Sequence, residues 1–71
     1  MAFTEAQLQA QLDAEGFNCR ITRFDATSSA SYTDVYAENV NSVSRKTGMV
    51  QIAQSNTAAQ AATALKAALA M

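Results

Sequence analysis

Apolar positions recur three and four residues apart at both ends of the chain and two apart between them. Near the start, Leu8 and Leu12 share one helical face, and alanines widen the stripe. Capping residues mark the limits of that segment. Thr4 is a good N-cap, Gln7 completes a capping box, and Phe3 with Leu8 forms a hydrophobic staple. Gly16 stands where a left-handed residue ends a helix, and Phe17 can then touch Leu12, as in a Schellman ending. These signals predict a helix over 4–15. Asp13 and Glu15 near its end oppose the helix dipole, at a cost of about a few tenths of a kcal/mol.

From Phe17 the period shortens. Phe17, Cys19 and Ile21 alternate with Asn18, Arg20 and Thr22, which predicts a strand over 17–24 with one buried face. The polar cluster Asp25–Ser31 reads as a loop. Tyr32, Tyr36, Val40 and Val43 fall at helical spacing, but the Val, Tyr, Thr, Asn and Ser content around them favours a strand over 33–43. Ser44–Gly48 resembles a hairpin turn with the glycine left-handed. A third strand follows over 49–54, with Val50 and Ile52 on its inner face. Thr57 with Gln60 repeats the capping box, and Leu65 with Leu69 repeats the four-residue spacing, which predicts a helix over 57–70.

The order α-β-β-β-α defines an α+β chain. A three-stranded antiparallel sheet covered on one face by two helices makes a two-layer sandwich, with 1–71 as a single domain. Of the 49% hydrophobic content much is alanine, so large apolar side chains are few. A domain of this size buries only roughly 60% of its unfolded surface, and small domains usually need a staple. The one cysteine, Cys19, forms no internal disulfide and fits a reducing, intracellular setting or a buried thiol. A thin core without a staple favours self-association or docking on a larger partner.

A net charge of −1, with five Lys plus Arg, argues against a partner chosen by electrostatics, nucleic acid above all. No basic leader and no apolar run of about 18 residues is visible, so the chain reads as soluble, without a membrane partner.

The layout is similar to the double-stranded-RNA-binding domain, whose second helix opens with a lysine-rich run followed by alanines. The matching stretch here is Asn56–Gln60 followed by Ala61, Ala62 and Ala64. Ala59 and Ala64 match packing positions, while Asn56, Thr57 and Gln60 stand where that family has lysines. The family's loop proline and histidine have no counterpart, since the chain contains neither. The resemblance implies the fold, and fold alone does not carry function. Short bacteriophage proteins, among them head–tail joining proteins and inhibitors of host nucleases, are also similar in this alternation; that likeness implies docking on a larger assembly and a virion-associated setting.

The inventory gives catalysis little to work with. Without histidine, the commonest general base and metal ligand is missing. A single cysteine and scattered acids supply neither zinc nor calcium spacing, and isolated Gly16 and Gly48 make no phosphate-cradling loop. Asp34 and Glu38 would share a strand face about 13–14 Å apart, too far for a glycosidase pair. Cys19 alternates with buried residues and reads as a small hydrophobe rather than a nucleophile. The expectation is a non-enzymatic chain with no cofactor and no metal.

Binding has more candidates. Tyr32 and Tyr36 would lie on one face of the second strand, and Arg45 with Lys46 would project from the hairpin tip. The first and third strands leave edges on which another chain can pair. The leading expectation is a protein–protein interaction or assembly module, an oligomer or a small subunit of a larger complex. The alternatives are a nucleic-acid contact through Arg20, Arg23, Arg45 and Lys46, and an inhibitor presenting Glu5, Asp13 and Glu15.

Overall fold

The structure, a computed structural model, describes residues 2–26, 31–40 and 46–69. Five elements follow in order: α1 (Glu5–Ala14), β1 (Cys19–Asp25), β2 (Tyr32–Asn39), β3 (Thr47–Ala53) and α2 (Ala58–Ala68). The strands form one antiparallel sheet in the order β1-β2-β3. Both helices pack on the same face of that sheet, α1 against β1 and α2 against β3. The α-β-β-β-α sandwich expected from the alternating periods is the fold.

Both helix starts are as their sequences predict. The Thr4 hydroxyl accepts from the Gln7 N–H while the Gln7 carboxamide accepts from the Thr4 N–H, and Thr57 and Gln60 repeat the exchange. Each box satisfies donors that the helix itself leaves unpaired. α1 ends in a full Schellman motif: Phe17 N–H donates to Leu12 O and Gly16 N–H to Asp13 O, both at 3.1 Å, with Gly16 at φ 77°. Only glycine takes that φ without steric cost, so the chain turns there into β1.

The core lies between sheet and helices. Phe3, Leu8 and Leu12 from the N-terminal side meet Cys19, Ile21, Val35, Ala37 and Ile52 of the sheet and Ala61, Ala62, Leu65 and Leu69 of α2. Ala61 and Ala62 are fully buried, so the alanine content of α2 lets the helix backbone lie close to its neighbours. The resemblance to RNA-binding domains placed Ala59 at a packing position, but Ala59 is exposed. The stripe that the leucine pair defines runs through Ala61, Ala62, Leu65 and Leu69.

Two strand details differ from the simple alternation. Ile21 pairs with Ala37 and Arg23 with Tyr36, so Thr22 is an extra residue and β1 carries a bulge. Uninterrupted, a period of two would turn Arg23 toward the helices and Phe24 to solvent. The bulge reverses both, as an inserted residue must. Phe24 then packs edge-on against Phe3, with ring centroids 5.8 Å apart at 90°. The Thr22 hydroxyl donates to Tyr36 O at 3.2 Å, across the distorted rung.

The second difference concerns Gly48. It is not a left-handed turn residue; its φ is not positive, and it lies within β3 opposite Ala37. Its role is space, because a Cβ there would sit 3.0 Å from Leu69 Cδ2. β2 accordingly ends at Asn39, whose N–H donates to Lys46 O at 2.8 Å. The expected strand tail and turn at 41–45, with Val43 and Arg45, lie outside the described residues.

Gln54 ties the far end together. Its N–H donates to Ser31 O, its carbonyl accepts from Ala2 N–H, and its carboxamide donates to Ala26 O and Tyr32 O.

Candidate interaction surface

Covering one sheet face with two helices leaves the other face open, and strand register decides what stands on it. Along β2, Thr33, Val35 and Ala37 are buried under the helices, so Tyr32, Asp34, Tyr36 and Glu38 point away from them. Register then sets the neighbours in rows: Arg20 beside Glu38 and Thr47, Arg23 beside Tyr36 and Met49, Asp25 beside Asp34 and Gln51, and Tyr32 beside Ala53.

The middle row is the centre of the surface. The Arg23 guanidinium lies over the Tyr36 ring, 5.4 Å from its centroid, and its Nη2 is 3.6 Å from Asp25 Oδ2. Stacked arginine is held by the negative face of the ring, a contact worth about 0.5–1 kcal/mol where exposed. Met49, beside Tyr36 in this row, is 47% exposed, and Tyr32, on the same face beyond the Asp34 row, is 46% exposed. The expectation that Tyr32 and Tyr36 share a face is met, and the same face carries Asp34 and Glu38.

Its charge is mixed: Arg20 and Arg23 stand among Asp25, Asp34 and Glu38. One oxygen of Asp34 is buried without a hydrogen-bond partner, in the row where Asp25 stands opposite. Lys46 is exposed at the start of the return to β3. Arg45, expected beside it at a hairpin tip, lies outside the described residues. Met49 is not among the expected interface residues, although inner Val50 and Ile52 already turn it outward; its register opposite Tyr36 is what brings it into the central row.

The other candidates lie elsewhere. Glu15 accepts from Lys66 Nζ at 2.6 Å and from Gln11 at 2.7 Å, which together hold its carboxyl below the ordinary range. Lys66 also sits 4.6 Å from the Phe17 ring centroid, clamping α2 to the end of α1. Asp13 accepts from Gln9 at 3.1 Å. Two of the three α1 acids are therefore engaged within the fold. Cys19 is buried, and desolvation pushes its thiol up, away from a reactive thiolate. A shallow groove of about 400 Å³ beside α1 is lined by Ala2, Gln7, Ala10, Gln11, Ala14 and Ala58, none of them titratable. Among the described residues no three His, Cys, Asp or Glu side chains converge on a point where a metal would sit. No described helix is long and apolar enough to cross a membrane.

Fold and surface together define a small α+β domain with one covered and one open sheet face. No protein-family model, no curated protein and no solved structure matches this chain.

Proposed function

We propose that this chain is a non-catalytic protein–protein interaction module whose contact surface is the open sheet face, acting as an oligomer or as a small subunit on a larger complex. The observation that carries it is the central row Arg23–Tyr36–Met49, with exposed Tyr32 farther along the same face. Tyr, Met and Arg are the side chains that interface cores favour, because they bury large area while keeping a polar or polarisable group for contact. The mixture of two arginines and three carboxylates suits a protein surface of alternating charge. A nucleic-acid backbone would meet Asp25, Asp34 and Glu38 along with the arginines, which weakens that alternative. A structural or accessory role in a bacteriophage particle agrees with this reading, since such a subunit works by docking.

Affinity capture from the native source with the wild-type chain and with Tyr36→Ala/Met49→Ala tests the proposal. The expected result is a defined partner retained by the wild type and lost by the variant, with circular dichroism unchanged. Identical capture by both chains, or none by either, would overturn it. A gel shift with mixed DNA and RNA covers the alternative: binding at low salt that falls steeply as salt rises would favour the nucleic-acid reading instead.

A further inference from the structure

The two edges of the sheet are treated differently. On β1 the carboxamide of Gln9 reaches down from α1, donating to Cys19 O at 2.9 Å and accepting from Ile21 N–H at 3.0 Å. Those two groups are what a neighbouring parallel strand would engage. Gln9 thus occupies the edge position of a strand, and the Thr22 bulge and the charges of Arg20, Arg23 and Asp25 blunt the rest.

β3 has none of these devices. Its sequence, Thr47–Ala53, contains no charge and no proline, and its pairing with β2 runs without a register shift. The bonds Asn39 N–H to Lys46 O and Gln54 N–H to Ser31 O set the phase of the ladder. Even-numbered residues of β3 therefore bond to β2, while Thr47, Met49, Gln51 and Ala53 turn N–H and C=O to the free side. Among the described residues nothing pairs with those of Thr47, Met49 and Gln51, while the Ala53 carbonyl accepts from Asn56 N–H at 3.0 Å.

The charge pattern extends this edge into a surface. Between residues 47 and 69 the sole charge is Lys66, and it is committed to Glu15 on the flank of α2 that faces α1. At about 100° per residue the opposite flank of α2, above the β3 edge, presents Gln60, Ala64 and Ala68. Charge depletion over a contiguous strip marks the core of an interface, and alanine lets two helix backbones approach.

We propose that a second copy of this chain pairs with β3 along its free edge, antiparallel about a two-fold axis at Val50, joining two sheets into one with the α2 helices side by side. The register is self-complementary. Met49 meets the partner copy's Gln51 and Thr47 meets its Ala53, so each outward N–H of these residues finds an outward C=O, the Ala53 carbonyl being shared with Asn56 N–H, and no charges meet. Because Gln9 closes β1, β3 cannot continue onto the β1 edge of another copy, and the assembly ends as a closed dimer rather than a fibre. The proposal belongs to the interaction-module reading but uses a different surface, so partner capture and dimerisation fail independently.

Sedimentation over a range of concentrations, with amide hydrogen exchange of the same samples, tests it. The expected wild-type result is a particle of twice the monomer mass that dissociates on dilution, with amides 47, 49, 51 and 53 protected only in the dimer. Gln51→Pro removes a free-side N–H without touching the β2 ladder, and is expected to give a folded monomer. A wild-type monomer throughout, with those amides exchanging freely, would overturn the proposal. So would a dimer that survives Gln51→Pro, or a dimer in which those amides stay unprotected. Should the proline variant fail to fold, Gln51→Lys opposes each new cation to the Met49 row and is read the same way.

Discussion

Phe24 meets Phe3 edge-on because Thr22 is an extra residue in β1, and the same residue turns Arg23 outward over Tyr36. One inserted position thus serves both faces: it completes the core under α1 and builds the centre of the open surface.

Deleting Thr22 would remove the bulge: Ile21, Arg23 and Phe24 would then face Ala37, Tyr36 and Val35 in unbroken succession, with Phe24 still inward and Arg23 still outward. The expected cost is therefore below that of Phe24→Ala, itself about 3 kcal/mol for a partly exposed ring. Urea denaturation of both variants checks the order; a deletion costlier than the alanine substitution would show that Thr22 is not the extra residue.

Thr33 is fully buried on the inner face, opposite Ile52, and its hydroxyl has no hydrogen-bond partner. A buried, unpaired hydroxyl costs about 1–3 kcal/mol. Thr33→Val removes it at nearly constant shape and keeps the β-branch that suits a strand. The urea midpoint is expected to rise by the equivalent of about 1 kcal/mol with the m-value unchanged.

Gly48 and Leu69 share one space, since a Cβ added at residue 48 would stand 3.0 Å from Leu69 Cδ2. Gly48→Val is expected to destabilise by about 1–3 kcal/mol through overpacking. Combined with Leu69→Ala it is expected to cost less than the sum of the two, and a double-mutant cycle reads that coupling. Strict additivity would show that the contact does not limit residue 48.

Lys66 and Gln11 hold the Glu15 carboxyl below its ordinary value. A folded-state value below the unfolded one means that the contribution is complete above the ordinary carboxylate range and is lost as pH falls through the folded value. Glu15→Gln should lower the urea midpoint near neutral pH, and the difference from wild type should close as the solution is taken below about pH 4. A difference that persists in acid would assign the loss to packing instead of charge.

Local signals in the sequence settle much of this architecture. Thr4 with Gln7, Thr57 with Gln60, and Gly16 before Phe17 act within a few residues of themselves, so helix starts and the first helix end are legible without a partner in space. The residue inventory is equally local: a chain with no histidine and one cysteine carries it wherever it folds. The shared face of Tyr32 and Tyr36 follows from a period of two, once β2 is a strand.

What the tertiary structure alone decided are the positions whose reason lies across the molecule. Gly48 looks like a turn glycine until Leu69 of α2 is brought against it. The bulge at Thr22 is set by which residues of β2 stand opposite, and with it the outward turn of Arg23 and the inward turn of Phe24. Met49 joins the Arg23 and Tyr36 row only through the strand register. Gln9, an ordinary helix residue by sequence, closes the β1 edge because packing α1 on the sheet brings its carboxamide to Cys19 and Ile21. Caps and periods depend on neighbours along the chain, whereas these four depend on contacts that exist only after the layers meet.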